Sequence, residues 1–322
     1  MFDSRFSLES PTGALLNVHR AEAKGQDHGV LLVFHGLAEH AARYGRFAAE
    51  MAARGFHVYA HDHRGHGSTT AVDAPLRRFA KHSGPAKVLA DCRAVLDAAH
   101  RSHHDLPVIV FGHSMGGHIA LNFALRHGGS LAGVAVWNAA FAFGIKEKLG
   151  LAALKAERAL KGSDVASDFF ARATFGSWAR TIEKRRTDAD WLSHDEAAVA
   201  AYLADPLCGW TPTNSMAVDL MTMVRDASGE KAWSGLPPAL PFHLVGGSED
   251  PATRSGEEVA SLAGGLRHAG SRDVTFLLQK GARHETLNEI EPMREPALRS
   301  FQTWAERVAT GARSAHGHDI DA

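Results

Sequence analysis

The chain has 322 residues, 45% of them hydrophobic, enough for one large α/β domain with an insertion. Its net charge of −1 removes any global electrostatic case for nucleic acid. The two cysteines, Cys92 and Cys208, cannot build a disulfide framework, and no apolar run is long enough to span a bilayer.

The opening Met1-Phe2-Asp3-Ser4-Arg5-Phe6 has neither a basic nor an apolar leader region. No secretory signal is expected, and a reducing cytoplasm is the expected setting. Val30-Leu31-Leu32-Val33-Phe34 reads as a buried strand, followed by a helix whose apolar face carries Phe47, Ala48, Met51 and Ala52. Phe56 to Ala60 is the next strand. Val88, Leu89, Cys92, Val95, Leu96 and Ala99 keep helical spacing, which makes Cys92 a core thiol. The run Leu106 to Phe111 is another buried strand. A helix bearing Ile119, Ala120, Leu121, Phe123 and Leu125 comes after it, then a strand at Val134 to Trp137. This alternation predicts a mostly parallel central sheet flanked by helices.

Near Phe143 the pattern changes, and no buried strand is legible until about Gly235. Lys146 to Lys161 is a mixed basic and apolar helix. Ser193-His194-Asp195-Glu196 reads as a capping box opening a helix that runs to Asp205-Pro206. A helical insert between sheet strands reads as a cap. Leu236-Pro237-Pro238 marks the return to the core, with final strands at Phe242 to Val245 and Val274 to Leu278. Leu298, Phe301, Trp304 and Val308 line a closing helix. The expected organisation is a core over residues 1–143 and 236–310, a cap over 144–235 and a flexible tail over 311–322.

Gly112-His113-Ser114-Met115-Gly116 sits between the strand ending at Phe111 and the helix after it. A G-x-S-x-G turn in that context is the nucleophile elbow of an α/β-hydrolase fold. Serine is a weak nucleophile until a histidine takes its proton and an acid orients the histidine. The chain order in this fold is serine, acid, histidine. Gly246-Gly247-Ser248-Glu249-Asp250-Pro251 follows a late strand and offers Asp250, with Glu249 as its competitor. Gly281-Ala282-Arg283-His284-Glu285 follows the final strand and offers His284. The oxyanion of an acyl intermediate needs two fixed donors. The backbone N–H groups of Met115 and of Leu37, in His35-Gly36-Leu37, are the candidates.

Three motifs in order carry a family likeness: Phe34 to His40 with Arg43-Tyr44, Asp62 to Ser68, and Gly112 to Gly117. With them the chain resembles the monoacylglycerol lipase and lysophospholipase branch of the α/β-hydrolases, also grouped with serine aminopeptidase-like hydrolases. The likeness covers roughly residues 5–143 and 236–308. It implies a serine hydrolase without cofactor or metal, acting on a small lipid-like ester, with the cap holding the acyl chain. It implies that Glu39 and Arg43 lie near the polar end of the pocket. Read from spacing alone, the same two are a local ion pair. Asp62 and Arg64 read as ties within a strand-end loop. The chain departs from the family at Ala38, where many members have glycine. It departs again at Leu287, where well-studied monoglyceride lipases carry a second histidine.

Other readings stay open on the same residues. An aminopeptidase or amidase would need an acidic anchor, for which Glu157, Asp195 and Glu196 are available in the cap. A perhydrolase would use the same triad, and a non-catalytic ligand-binding hydrolase fold is a further alternative. Dehalogenases and epoxide hydrolases need an aspartate at the elbow, and Ser114 excludes them. The apolar cap residues Leu149, Leu151, Leu154, Phe169, Phe170, Phe175, Trp178, Trp191, Leu203 and Trp210 are candidates both for core and for a lipid tunnel. The Lys146–Lys161 helix has two readings as well, a solvated face or peripheral contact with an anionic membrane. Among the 21 histidines, His61-Asp62-His63 and His316-Gly317-His318 lack the spacing of a recognised metal site and read as loop and tail residues. Nothing in the sequence fixes the oligomeric state.

Overall fold

The computed structural model describes residues 1–317. Its strands are β1 (Ser4–Glu9), β2 (Ala14–Ala21), β3 (Gly29–Phe34), β4 (Phe56–His61), β5 (Thr70–Ala71), β6 (Val108–His113), β7 (Gly133–Trp137), β8 (Phe242–Gly247) and β9 (Val274–Gln279). They form one sheet in the order β1-β2-β4-β3-β6-β7-β8-β9, with β5 paired to β2. From β4 to β9 along the sheet every pairing is parallel, and the antiparallel pairings are the three that β2 makes, with β1, β4 and β5.

A sheet covered on both faces needs apolar side chains on both, so its strands read as unbroken hydrophobic runs. In β3, Val30, Leu32 and Phe34 join one core cluster while Leu31 and Val33 join the other. The helices α1 (Gly45–Ala52) and α11 (Glu291–Gly317) cover the second face, with Phe47, Met51, Phe301 and Trp304 inward. The first face is covered by α2 (Gly84–Ser102), α3 (Met115–His127) and α10 (Glu257–His268). Cys92 is fully buried there, as the helical spacing requires.

Between β7 and β8 lie α4 (Ile145–Lys161), α5 (Asp168–Ala173), α6 (Phe175–Thr181), α7 (Glu196–Ala204), α8 (Asn214–Asp226) and α9 (Glu230–Trp233). No strand is described in this stretch beyond an isolated bridge between Ala166 and Thr213. The insert packs in two ways. Leu151, Leu154, Phe170, Met216 and Leu220 join the core cluster on the first face of the sheet. Ala179, Trp191, Leu192, Val199, Tyr202 and Cys208 form a cluster of their own.

Four local expectations need correction. Before residue 29, β1 and β2 add an antiparallel hairpin that the apolar-run criterion missed, because β2 alternates Leu16 and Val18 with Asn17 and His19. The helix after Ser193 is capped by Asp195, whose carboxylate accepts from Ala197 and Ala198 N–H. Ser193 instead donates to the carbonyl of Asn288 at 2.8 Å. The closing helix continues to Gly317, into the stretch expected as a tail, and residues 318–322 lie outside those described. His61 and His63 are buried at 0% and 1%, at the end of β4 and just beyond it, rather than lying on an open loop. The His316 and His318 side chains lie outside the described residues. No described helix is long and apolar enough to cross a membrane.

Candidate active site

Ser114 sits at φ 54° and ψ −117°, between β6 and α3. Such a backbone costs about 1–3 kcal/mol and persists only where its surroundings enforce it. A Cβ at Gly112 would strike the carbonyl of Gly116, and one at Gly116 would strike the carbonyl of Phe34. The two flanking glycines are therefore dictated by close backbone approach. The serine N–H is anchored on the carbonyl of Trp137 at 2.9 Å. The N-terminus of α3 faces the serine, where its partial positive charge favours an anion.

His284 lies in the loop after β9 and Asp250 in the loop after β8. The Ser114 hydroxyl donates to His284 Nε2 at 2.9 Å. His284 Nδ1–H donates to both Asp250 carboxylate oxygens at 3.0 Å. Asp250 is fully buried and also accepts from Ala252 N–H, Thr253 Oγ1 and Asn138 Nδ2. Burial alone would raise the Asp250 carboxyl. The charge and hydrogen bond of His284, with those from Thr253 and Asn138, outweigh it and hold the group below its usual range. The ionised acid fixes the histidine tautomer that leaves Nε2 free to accept a proton. Glu249, the competing acid, is 54% exposed and meets His194 at 3.3 Å, away from His284.

Leu37 and Met115 both line the cavity over Ser114. Among the described residues neither backbone N–H has a hydrogen-bond acceptor. Ala38 adopts φ 56°, the left-handed conformation that glycine takes freely. The loop keeps a turn suited to glycine despite the alanine.

Glu39 and Arg43 form an ion pair at 2.5 Å, and Glu39 lines the cavity while Arg43 does not. Arg43 also grips Glu285 with its two terminal guanidinium nitrogens, at 2.6 and 2.7 Å. Glu39 accepts further bonds from Gly36 N–H, Tyr44 Oη and His113 Nδ1. Burial would raise the carboxyls of Glu39 and Glu285; the charge of Arg43, joined by the hydrogen bond and charge of His113 and by His35 at Glu39, and by its own hydrogen bond and by His113 at Glu285, outweighs it and holds both down, Glu39 well below the usual range. Asp62 accepts from Asn17, Ala41 N–H and Ser68 N–H, and Arg64 bonds Asp73, Asp91 and the carbonyl of Phe79. Both tie loops together, as expected.

The cavity between core and cap measures about 830 Å³. Of the apolar cap candidates, Leu149, Leu154, Phe169, Phe170, Phe175, Trp178 and Trp191 line it. Leu151 and Trp210 are buried in packing, and Leu203 is 50% exposed. None of the three acidic anchors considered for a peptide amine reaches the cavity. Glu157 is engaged by Ser167 and Lys161, Asp195 caps α7, and Glu196 pairs with Arg186. The carboxylates that do line it are engaged too: Glu147 by Gly144 N–H, Glu258 by Arg254, and Glu39 and Glu285 by Arg43.

Sequence reasoning missed how the cap docks on the loops of the site. His284 N–H donates to the carbonyl of Trp191 and Glu285 N–H to that of Leu192 at 2.7 Å. Arg283 reaches the carbonyls of Asp190 and Ser193, and Gly209 N–H donates to the carbonyl of Ala38. Three described groups also place metal-type ligand atoms within 4.8 Å of one another: His61, His63 and Cys92; Glu22, His57 and His103; His40, Asp205 and Cys208.

With this geometry in place, the comparisons with known proteins decide the family. Residues 25–291 match the serine aminopeptidase S33 family. The chain belongs to that family. Family membership agrees with the likeness read from the three motifs. The monoacylglycerol lipase of Mycolicibacterium smegmatis is 29% identical over 82% of this chain and 83% of its own length. The human monoglyceride lipase is 27% identical over 89% of this chain and 85% of its own. A thermostable carboxyl esterase from Bacillus coagulans, solved with glycerol, superposes with a TM-score of 0.84 at 25% identity, covering 96% of this chain and 99% of that one. The fold is the α/β-hydrolase fold, with a helical insert over the carboxyl ends of the parallel strands.

Proposed function

We propose that this member of the S33 family is a carboxylic ester hydrolase that cleaves acyl esters of monoacylglycerol type through an acyl-enzyme on Ser114. One observation carries the reading: the serine–histidine–aspartate chain opens into a largely apolar cavity of about 830 Å³. Ser114 Oγ attacks the ester carbonyl while His284 Nε2 takes its proton. Asp250 stabilises the imidazolium that forms. The N–H groups of Leu37 and Met115 hold the oxyanion. Collapse breaks the bond to the alcohol, which leaves with the proton from His284. Water then attacks the acyl-enzyme and gives a proton to His284; the Ser114 Oγ–acyl bond breaks, Oγ takes the proton back from His284, and the fatty acid departs. Three of the four carboxylates that line the cavity, Glu39, Glu258 and Glu285, are paired with arginines, which favours ester over aminopeptidase chemistry.

Leu287, at the position of the second histidine of monoglyceride lipases, packs into the sheet's second core cluster. Recognition of a glycerol end therefore falls to other groups. The deciding experiment measures kcat/KM on short- and long-chain p-nitrophenyl esters, monoacylglycerols, lysophospholipids and aminoacyl amides. The reading expects turnover of monoacylglycerols and long-chain esters and none of the amides. Preferred cleavage of aminoacyl amides would overturn it.

A second use of α4 rests on its exposed apolar residues. Ile145, Leu149 and Leu160 are 79%, 67% and 86% exposed beside Lys146 and Lys148, and Leu149 and Lys146 also line the cavity. A basic helix with bare apolar side chains suits an anionic lipid surface. Co-sedimentation with anionic vesicles, weakened by salt and by the paired changes Ile145→Glu and Leu160→Glu, is the expected result. Absence of vesicle binding at low salt would remove this use.

A further inference from the structure

His113 precedes the serine in the elbow, and the triad mechanism makes no use of it. It is 7% exposed. Its Nε2 lies 3.0 Å from the backbone carbonyl of His284, and its Nδ1 lies 3.4 Å from Glu39 Oε1. Both partners are acceptors. A carbonyl never donates, and the Glu39 carboxylate already receives Gly36 N–H, the Tyr44 hydroxyl and Arg43. A neutral imidazole has one N–H and can serve only one of the two. The charge count points the same way. Two buried carboxylates, Glu39 and Glu285, face a single guanidinium, Arg43, and a cationic His113 brings the group to neutrality.

We propose that His113, as an imidazolium bridging Glu39 and the carbonyl of His284, is a positioning residue that locks the oxyanion loop to the base loop. The inference rests on the roles proposed above for Ser114 and His284. One end of the lock is the oxyanion loop, because Glu39 also holds the backbone N–H of Gly36 beside Leu37. The other end is the residue that carries the base. Arg43 and Glu285 close the ring from the far side, next to His284 in sequence.

The charged and titratable groups around the His113 ring are Glu39 from the oxyanion loop, Arg43 and Tyr44 from the turn after it, and His284 and Glu285 from the base loop. The His284 ring stands 4.9 Å away. Burial pulls the His113 pKa down, but the hydrogen bond and charge of Glu39, with Glu285 and the His284 carbonyl, leave it raised above the ordinary histidine value. The sign follows. A group whose folded pKa is raised holds its proton through neutrality and loses it as pH climbs through the folded value. Activity then falls on the alkaline side as His113 gives up its bridge.

The test is the pH profile of kcat on a soluble p-nitrophenyl ester for the wild-type chain, His113→Gln and His113→Ala, with Ser114→Ala alongside. The wild-type profile should fall on its alkaline side. His113→Gln keeps a donor for the His284 carbonyl but no titrating group, so its alkaline limb should disappear while kcat stays within about tenfold. His113→Ala loses the bridge and should lower kcat by about 100-fold with KM little changed, the scale of a small misplacement of reacting groups. Persistence of the wild-type alkaline limb in His113→Gln, or wild-type kcat in His113→Ala, would overturn the proposal. If His113→Ala does not fold, nitrogen NMR of the wild-type ring decides. Two protonated ring nitrogens at neutral pH support the bridge, and a neutral ring contradicts it. An active Ser114→Ala would instead sink the nucleophile assignment, whatever His113 does.

Discussion

The floor of the cavity and its roof are built on different physics. The floor comes from loops at the carboxyl ends of parallel strands, where backbone meets backbone. Gly112 and Gly116 leave no space for a Cβ, and Ser114 is held at a strained φ by the strands on either side. The roof comes from helix faces, where side chains meet side chains. Leu154 and Phe170 join the core cluster and line the cavity at once, while neighbouring Leu151 only packs. Residue identity is forced on the floor and negotiable on the roof. Substitutions in the floor should therefore abolish the chemistry, and substitutions in the roof should redirect it.

Ser114→Ala tests the floor most severely. It removes one oxygen at the elbow and should cut kcat by about 10⁶-fold, the scale for triad serines. The fold should be unchanged by circular dichroism. Residual activity above a tenth of wild type would break the contrast between the two regions.

Asp250→Asn should follow, at about 10⁴-fold, because the geometry survives while the histidine tautomer does not. Glu249→Gln should leave rates within about twofold, since a rim pair with His194 contributes little. Rates measured for both variants separate the two carboxylates, and a reversed order would make Glu249 the acid.

The floor also depends on buried charge. Glu39 and Glu285 have side chains only 3% and 6% exposed, and Arg43 neutralises them. Arg43→Met strands two carboxylates and should cost about 3–5 kcal/mol in denaturant unfolding. A loss under about 1 kcal/mol would mean that the network is no better than a surface ion pair.

The roof should respond in kind rather than degree. Leu154→Trp fills part of the cavity and should lower kcat/KM for long-chain esters by about tenfold, a mismatch of roughly one methylene. Short-chain esters should be spared. An equal loss on both would place Leu154 in the structural core alone.

The same contrast explains what the sequence disclosed. Ser114, Asp250 and His284 were legible because backbone geometry ties each to a loop after a strand of recognisable composition. Leu37 and Met115 are proposed as oxyanion donors from their position in such loops, with no contribution from their side chains. Asp195 displaced Ser193 as the helix cap because two oxygen-bearing side chains stood within one turn, and composition does not rank them. Leu203 and Trp210 were indistinguishable from lining residues in sequence, since a helical apolar stripe does not say what it faces. The hairpin of β1 and β2 was missed because a half-exposed antiparallel pair alternates polar and apolar residues. Glu285 and His113 stood beside named residues, but their bond partners come from the oxyanion loop and the turn after it, far away in the chain.

Labelling with a fluorophosphonate, read by peptide mass spectrometry, tests most directly whether His284 activates a serine in the elbow. The expected result is a single modified residue, Ser114, with labelling lost in His284→Ala and retained in Leu154→Trp. Modification of a different serine, or labelling of Ser114 at the wild-type rate in His284→Ala, would contradict it.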